Sequence, residues 1–331
     1  MALVCVLGAG SWGSAMAVLI ARNGHRTRLW GRNATHMAEL ERERCNKRYL
    51  PDIRLPDNLE LSCDLTQSVR DRDILMIAVP SHAFRSVLEQ IQSHIGPTTR
   101  IAWATKGLDP KSGGLLHETV GELFPKQPSI AVVSGPTFAT EVARNLPTAM
   151  TIASPDSQFA SELSAVLHNE RLRVYTSDDI IGVQLGGAVK NVLAIATGAA
   201  DGLGFGANSR AAIVTRGLAE LIRLGLALGA RKETLMGLAG LGDIVLTCTD
   251  NKSRNRRLGI GLGQGRALDE VLREISQQVE GISAAREIHR LALKHHIEMP
   301  ITEQVFKVLY ENVSPPTAVR NLLVREQKKE Q

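Results

Sequence analysis

Aromatic side chains make up only 4% of this sequence of 331 residues. Proteins that hold single-stranded nucleic acid usually stack the bases on aromatic rings along a basic groove. The formal net charge of +5 comes from basic residues that are interspersed with acidic ones almost everywhere. The composition therefore argues against nucleic acid as a partner and favours small anionic ligands.

Long apolar runs, secretion signals and clustered cysteines are also lacking. No run approaches the roughly 18 residues that span a bilayer, and the start MALVCVLGAG has neither the basic region nor the cleavage site of a signal peptide. The four cysteines are far apart, without metal-ligand spacing, and the nine histidines are scattered. We therefore expect a cytoplasmic protein with reduced thiols, no metal and no stable membrane insertion.

Two kinds of pattern divide the chain. In the first half, short apolar runs alternate with amphipathic segments, which is typical of a parallel sheet covered on both faces. The predicted strands are LVCVLG, TRLW, DILMIAV, RIAWAT, SIAVVSG, TAMTIA and RLRVYTS. After Ser177 the signals are helical only, and the tail REQKKEQ is expected to be a solvated helix end. The sequence thus predicts an α/β fold with an N-terminal Rossmann-like, doubly wound domain over 1–180 and an all-α domain over 181–331.

The first predicted strand runs directly into GAGSWGSA, which places Gly8, Gly10 and Gly13 at GxGxxG spacing before an amphipathic helix. Gly8 permits a tight turn, Gly10 lets the backbone approach a pyrophosphate, and Gly13 allows close packing of helix on strand. The helix N-terminus adds free N–H groups and the positive end of its dipole. A purely structural glycine turn is the alternative, but the position after the first strand of a βαβ series favours dinucleotide binding.

The end of the second strand bears on which dinucleotide is bound. An acidic residue that would hold the ribose hydroxyl of NAD is absent from Trp30-Gly31-Arg32-Asn33. The guanidinium of Arg32 can instead pair with a 2′-phosphate and stack on adenine. This favours NADP over NAD, unless Arg32 is an ordinary surface arginine.

A lysine interrupts the most apolar predicted helix. The stretch GVQLGGAVKNVLAIATG is apolar on nearly every side and predicts a buried helix, yet it contains Lys190 and Asn191. Gly186 and Gly187 come one turn before Lys190, and we expect them to leave space beside its ammonium. A desolvated amine suits proton transfer to or from a reacting oxygen. A lysine that extends to solvent is the alternative.

A basic segment follows a glycine-rich approach to Asp243 in MGLAGLGDIVLTCTDNKSRN. Ser253, Arg254 and Asn255 offer a hydroxyl, a guanidinium and an amide, the donors expected around a phosphate or carboxylate. From these residues alone, an anion clamp and a solvated charged loop are equally open.

Taken in order, these motifs resemble the bacterial-type NAD(P)-dependent glycerol-3-phosphate dehydrogenases over nearly the whole chain. The matching segments are GAGSWGSA at 8–15, VPS at 79–81, ATKGL at 104–108, SGPTFATEV at 134–142, GAVKNVLAIATG at 187–198, GLAGLGDIVLTCT at 237–249, SRN at 253–255, VEG at 279–281 and MPIT at 299–302. The resemblance implies hydride transfer between NAD(P)H, with NADPH favoured, and dihydroxyacetone phosphate. The product would be sn-glycerol 3-phosphate for glycerophospholipid synthesis.

The resemblance also implies roles for individual residues. Lys190 would be the proton donor and acceptor at the substrate C2 oxygen, with Asp243 beside it in the substrate pocket. The other substrate-binding residues would be Lys106, Gly135, Thr137, Ser253, Arg254 and Asn255. The dinucleotide-binding residues would be Gly8, Gly10, Ser11, Trp12, Gly13, Arg32, Tyr49, Lys106, Ala139, Arg254, Gln278 and Glu280. Gln278 stands where valine is more familiar, which points to a backbone contact, and Asn33 stands where a second basic residue is often seen, which leaves NAD use open.

Two other functions remain open on the residues alone. A related two-domain β-hydroxyacid dehydrogenase of the 6-phosphogluconate-dehydrogenase-like fold would have the same domains and a helix lysine. A non-catalytic NADP-sensing protein would need the glycine loop but no lysine in a buried helix, so Lys190 argues against it. The apolar helical half would allow a homodimer, although an apolar helix can equally be core.

Overall fold

A computed structural model describes residues 1–324 of the chain, so the tail REQKKEQ lies outside the described residues. The strands are β1 Leu3–Leu7, β2 Arg26–Trp30, β3 Cys45–Asn46, β4 Leu50–Arg54, β5 Leu59–Ser62, β6 Ile74–Ile77, β7 Arg100–Trp103, β8 Ile130–Ser134, β9 Thr148–Ala153 and β10 Leu172–Ser177. The first helices are α1 Ser11–Arg22, α2 Ala34–Glu43, α3 Leu65–Val69, α4 Ser81–Ile91, α5 Leu116–Leu123, α6 Ala139–Ala143 and α7 Ser157–Leu167. The later helices are α8 Ile180–Gly202, α9 Ala207–Ala227, α10 Lys232–Met236, α11 Asp243–Thr249, α12 Arg254–Gly263, α13 Leu268–Ile275, α14 Glu280–Lys294, α15 Pro300–Tyr310 and α16 Pro315–Leu323.

Eight strands form one sheet in the order β10-β9-β8-β7-β6-β1-β2-β5. Within residues 1–324, every neighbouring pair in this sheet is parallel except β8 and β9, which are antiparallel. The chain leaves β1 toward β2 and later returns to the other side of β1 with β6. Such a switch point is where open α/β sheets bind ligands, outside the carboxyl ends of the strands. The predicted Rossmann-like sheet followed by helices is confirmed.

The predicted strands are present because their apolar runs are covered on both faces. All four residues of β6 are buried, and so are Val4 to Leu7 of β1. The small antiparallel hairpin of β3 and β4 was not predicted, nor was the edge strand β5. Strand β3 has two residues and β4 carries Pro51 and Asp52, so neither shows apolar alternation, while β5 alternates apolar and polar residues in LELS but is only four residues long.

The chain divides into two units. The first contains Met1–Asp109 and Gly114–Gln184, and the second contains Pro110–Gly113 and the chain from Leu185 onward. Helix α8 begins at Ile180 and continues to Gly202 without a break, so the end of the first unit falls inside a helix. The domain boundary after residue 180 stays a prediction.

Helix α8 is long and apolar enough to cross a membrane by length and composition alone. The expectation that no segment approaches this length is therefore wrong, because the few polar residues of α8 do not break its overall apolar character. However, 83% of its apolar window is buried inside the protein. A helix that is apolar all round and buried is equally the core helix of a globular protein, so membrane crossing has little support here.

Glycines bring α8 and α12 into backbone contact within the second unit. Gly198 of α8 faces the carbonyl group of Arg256, and Gly259 of α12 faces the carbonyl group of Ile195. At either position an added Cβ would overlap the opposing oxygen. The distance between two packed helices depends on the side chains at the contact. At these glycines the side chain is a single hydrogen atom, so the two backbones can touch. The start of α12 is therefore held firmly against the helix that carries Lys190.

A buried glutamate closes the N-terminus of α15. Glu220 of α9 accepts hydrogen bonds from the backbone N–H of Ile301 at 2.6 Å and from the backbone N–H and hydroxyl of Thr302 at 3.2 and 3.0 Å. These N–H groups begin the helix and have no acceptor in the preceding turn. The MPIT segment thus has a structural role. Burial raises the pKa of Glu220 above its ordinary value of 4.5, although the hydrogen bonds oppose that shift.

We expect Gly198→Ala to lower the free energy of unfolding by about 1–3 kcal/mol, because the new methyl group forces α8 and α12 apart. Gly121→Ala is the matched control, since Gly121 is an exposed residue of α5 whose added Cβ meets nothing within 4 Å. That change should raise the free energy of unfolding by about 0.5–1 kcal/mol through helix propensity. Urea unfolding followed by circular dichroism measures both, and equal responses would contradict the packing described.

We expect the stability of the wild type relative to Glu220→Gln to fall as the pH rises from about 4 to about 8. The folded-state pKa of Glu220 is raised, so its contribution to stability is largest below the unfolded-state pKa and declines through the folded-state pKa. Glutamine does not titrate and removes this dependence. Urea unfolding of both proteins across the pH range measures the difference, and a difference that grows with pH would contradict the assignment.

Candidate functional site

The turn between β1 and α1 lies at the switch point of the sheet. Gly8 has φ +122°, and an added Cβ would lie 2.7 Å from the carbonyl oxygen of Ala78, which follows β6. A Cβ at Gly13 would overlap the carbonyl oxygen of Gly8. Both positions therefore require glycine, one for its conformation and one for the close packing of α1 on the turn, as the spacing predicts.

The outer side of the same turn is open. A Cβ at Gly10 would meet nothing within 4 Å, and Gly10 precedes α1 with no side chain that caps the helix. Ser11, Trp12 and Gly13 form the first turn of α1, where N–H groups lack acceptors in the preceding turn. An uncapped helix N-terminus beside open space is suited to an anion.

The end of β2 leads to residues with mixed roles. Arg32 is exposed, and the neighbouring Asn33 caps α2 by accepting a hydrogen bond from the backbone N–H of His36 at 2.9 Å. Tyr49 lies in the turn between β3 and β4, where its ring meets the edge of His36 at 5.6 Å between centroids. The guanidinium of Arg48 lies 5.1 Å from the centre of the Tyr49 ring. The capping role of Asn33 is a finding that sequence spacing did not reveal.

Three of the predicted substrate residues meet at the end of β8. The Lys106 ammonium donates to the carbonyl oxygen of Gly135 at 3.4 Å, and the Thr137 hydroxyl donates to the same oxygen at 3.3 Å. Ala139 follows as the first residue of α6. The structure thus brings Lys106, Gly135 and Thr137 together at the edge of the sheet.

A buried ion pair supports the segment that carries Lys106. Arg85 of α4 contacts Asp109 and Glu122, each at 2.7 Å. Hydrogen bonds to Glu122 and Asp109 raise the pKa of Arg85 above its ordinary range. Before Lys106, the Thr105 hydroxyl donates to the carbonyl oxygen of Val79 at 2.7 Å. Residues on both sides of Lys106 are therefore anchored.

Lys190 lies inside the second unit and does not extend to solvent. It is 8% exposed, and its ammonium donates to Asp243 Oδ1 at 2.7 Å and to Thr247 Oγ1 at 3.0 Å. Asp243 is completely buried, and the Thr247 hydroxyl lies 3.3 Å from the same carboxylate oxygen. Asp243 and Thr247 are one turn apart on α11, so a single helix face holds the ammonium at two points.

The expectation that Gly186 leaves space beside Lys190 is wrong. An added Cβ at Gly186 would overlap the carbonyl group of Ala239. Ala239 belongs to a π-helical turn, Leu238–Gly242, that immediately precedes Asp243. Glycine at 186 therefore admits this backbone, and the irregular turn brings Asp243 to the lysine.

The SRN segment forms the N-terminus of α12 and is not a solvated loop. Ser253 and Asn255 are buried, and the Ser253 hydroxyl caps the helix by accepting from the Arg256 backbone N–H at 3.2 Å. The Asn255 amide donates to Asn191 Oδ1 at 2.8 Å and accepts from the Gly281 backbone N–H at 2.9 Å. Because Asn191 directly follows Lys190 on α8, the bond from Asn255 joins the start of α12 to the part of α8 that carries the lysine.

Comparison with known proteins identifies the family. Residues 3–160 match the family described as NAD-dependent glycerol-3-phosphate dehydrogenase N-terminus, and residues 179–320 match the corresponding C-terminus family. The chain belongs to the NAD-dependent glycerol-3-phosphate dehydrogenase family. A glycerol-3-phosphate dehydrogenase (NAD(P)+) of Aeromonas hydrophila is 55% identical over 328 residues, which are 99% of this chain and 98% of the relative.

Solved structures agree with this family. The glycerol-3-phosphate dehydrogenase of Coxiella burnetii has a TM-score of 0.95 and 51% identity, and the match covers 97% of this chain and 98% of that one. A ketopantoate reductase of Ralstonia eutropha has a TM-score of 0.62 and 16% identity, with 96% and 99% of the two chains covered. The latter shows likeness of fold alone.

The residues of this dehydrogenase fit a dinucleotide at the β1–α1 turn. The space beside Gly10 is open, and the indole N–H of Trp12 is buried without a hydrogen-bond partner among residues 1–324. A buried donor of this kind is costly unless something accepts from it. The turn thus meets the two requirements of a dinucleotide loop, namely space and unsatisfied donors.

The last predicted cofactor residues lie near the start of α14 in this dehydrogenase. Gln278 is exposed, and Glu280 is the first residue of α14. It is Gln277, and not Gln278, that accepts a hydrogen bond from the Arg254 guanidinium, at 3.4 Å. The structure thus joins Arg254 to this segment, but through a neighbour of the predicted residue.

Sequence reasoning missed Thr247 as a partner of Lys190. The signal was present, because Thr247 follows Asp243 by four residues in a predicted helical stretch and so shares its face.

Among the described residues, no group of three or more His, Cys, Asp or Glu side chains is placed to hold a metal ion. Cys248, adjacent to Thr247, is buried, and this burial raises the pKa of its thiol to about 12. Its thiol therefore stays protonated at neutral pH.

Proposed function

We propose that this protein reduces dihydroxyacetone phosphate to sn-glycerol 3-phosphate in a reversible, NAD(P)H-dependent reaction. The observation that carries the proposal is the buried Lys190, 2.7 Å from Asp243, in a chain of this dehydrogenase family. When bound, NAD(P)H supplies the hydride that the C2 carbonyl carbon receives. The protein must bind the substrate, orient its carbonyl group and provide a proton.

Lys190 provides that proton. As the carbon–oxygen double bond becomes a single bond, negative charge develops on the C2 oxygen, and an ammonium N–H of Lys190 stabilises it and then transfers its proton. The lysine regains a proton from water. In the oxidation of glycerol 3-phosphate, the neutral amine takes the hydroxyl proton. Asp243 and Thr247 hold the Lys190 nitrogen in place throughout.

The phosphate of the substrate is bound by the start of α12. Ser253 fixes this helix end as its cap, and Arg254 adds a guanidinium at the first helical position. Asn255 keeps one amide hydrogen beyond its bond to Asn191, because an amide nitrogen carries two. The helix N-terminus and a guanidinium together favour a dianionic group. Lys106, Gly135 and Thr137 complete the substrate contacts.

The dinucleotide is bound by the N-terminal domain, residues 1–180, and the substrate and catalytic groups lie mainly in 181–331. The cofactor-binding residues are Gly8, Gly10, Ser11, Trp12, Gly13, Arg32, Tyr49, Lys106, Ala139, Arg254, Gln278 and Glu280. The exposed guanidinium of Arg32 supports NADPH over NADH through a 2′-phosphate. The enzyme acts in the cytoplasm and supplies glycerophospholipid synthesis.

We expect Lys190→Ala to reduce turnover of dihydroxyacetone phosphate by about 100-fold or more, because the proton donor is lost. The assay follows NADPH oxidation by absorbance, with dihydroxyacetone phosphate as the substrate and a panel of β-keto acids for comparison. Lys294→Ala removes an exposed lysine of α14 and should leave turnover unchanged. NADPH binding and circular dichroism show whether the Lys190 variant is folded. A wild type that ignores the triose phosphate, or a folded variant with near-normal turnover, would contradict the proposal.

We expect Arg254→Ala to raise the KM for dihydroxyacetone phosphate by about 10- to 100-fold, equivalent to about 1.4–2.7 kcal/mol for a charged hydrogen bond. Arg257→Ala, which removes an exposed guanidinium of the same helix, is the control and should leave this KM unchanged. Steady-state kinetics at saturating NADPH measures both variants. An unchanged substrate KM in the Arg254 variant would remove the phosphate-binding assignment.

A further inference from the structure

The β3–β4 hairpin carries a fully buried amide that contacts the dinucleotide loop. The side chain of Asn46 is 0% exposed. Its amide nitrogen donates to the carbonyl oxygen of Ala9 at 3.0 Å and to the hydroxyl of Ser14 at 2.8 Å. Its amide oxygen accepts from the backbone N–H of Tyr49 at 3.3 Å. One side chain therefore joins the glycine loop, the start of α1 and the turn that carries Tyr49.

The pairing of the hairpin is irregular at Asn46. Cys45 pairs with Arg54, whereas Asn46 pairs with Leu50, so the register shifts between two adjacent residues. A bulge of this kind redirects a side chain and is common beside active sites.

Ala9 is the residue between Gly8 and Gly10, so its carbonyl group belongs to the peptide that also contains the Gly10 N–H. A trans peptide is planar, and its C=O and N–H point in opposite directions. When Asn46 fixes the Ala9 carbonyl group, the Gly10 N–H must point away from Asn46. This N–H belongs to the residue beside which the loop is open, as shown by the empty space around a Cβ at Gly10.

The other side of the hairpin is anchored to the sheet. The Arg44 guanidinium donates to the carbonyl oxygen of Leu59 at 3.0 Å and also to that of Pro56, and the Leu55 backbone N–H donates to the Arg44 carbonyl oxygen at 2.8 Å. Leu59 begins β5, which pairs with β2. The hairpin that presents Asn46 is therefore held to the sheet by contacts other than those of Asn46 itself.

We propose that Asn46 is a positioning residue for the dinucleotide. Its amide sets the orientation of the Ala9–Gly10 peptide and, through the same group, the place of Tyr49. It thereby aligns the loop that receives the pyrophosphate with a residue assigned to the same cofactor. This inference rests on the proposed function, since it takes the glycine loop to be the dinucleotide site.

Asn46→Asp tests the proposal, because it keeps the shape of the side chain but replaces the two donor hydrogens with an acceptor. The dissociation constant for NADPH, measured by titration calorimetry, should rise about tenfold or more, and the KM for NADPH should rise with it. The turnover number at saturating NADPH and the KM for dihydroxyacetone phosphate should change less than about twofold, since Asn46 touches neither the substrate residues nor Lys190.

Asn23→Asp is the matched control. Asn23 lies at the opposite end of α1, and its amide nitrogen donates to the carbonyl oxygens of Val166 and Leu167 at 2.9 and 3.1 Å. This change should lower the melting temperature without changing the dissociation constant for NADPH. Asn46→Ser is a second, uncharged variant that retains one donor, and it should also weaken NADPH binding. It tests the proposal where Asn46→Asp fails to fold or binds too weakly to measure.

The outcomes are distinct. If folded Asn46 variants lose thermal stability as Asn23→Asp does but bind NADPH like the wild type, Asn46 is only structural and the proposal is overturned. If the wild type binds no dinucleotide, the proposal fails together with the cofactor assignment. If the wild type binds NADPH, the variants lose affinity as expected, and dihydroxyacetone phosphate is not reduced, the inference stands and the proposed reaction fails.

Discussion

The ammonium of Lys190 can stay inside a packed helix because the carboxylate of Asp243 lies 2.7 Å away. Taking either charge out of water alone costs several kcal/mol, so each of them depends on the other. Asp243 comes 53 residues later in the chain, after a π-helical turn that fits against Gly186. The pair therefore forms only when these segments are packed together, so folding of the second unit also brings Lys190 and Asp243 into contact.

The first unit combines a buried sheet with an open glycine turn. Its sheet buries apolar strands on both faces, while the turn after β1 borders open space at Gly10. Residues outside the turn must therefore hold its backbone in place. The backbone of Trp30 supplies an acceptor for the Gly8 N–H at 2.9 Å, and Asn46 supplies donors for Ala9 and Ser14. Bonds to Trp30 and Asn46 thus hold the turn in place beside the open space at Gly10.

Sequence patterns predict the long strands and the glycine turn because apolar periodicity and glycine spacing are local properties. They do not predict β3 to β5, which are only two to five residues long. Asn33 and Ser253 show a second limit, since the donors and acceptors that suit a ligand also suit a helix cap. Glu220 contacts a partner 81 residues away and Asn46 one 37 residues away, and no local pattern reveals such bonds. The candidate site residues are predicted mainly by the ordered motifs that resemble the family.

The glycine contact between α8 and α12 has a consequence for how the second unit responds to temperature. At Gly198 and Gly259, backbone atoms and not apolar side chains fill the contact between the two helices. The heat-capacity change of unfolding comes largely from apolar surface, so this contact adds little to it. Its cohesion comes instead from dispersion and weak Cα–H···O contacts between main chains. The separation of the helix that carries Lys190 from the helix that begins with Arg254 is therefore less sensitive to cooling than contacts made by large apolar side chains.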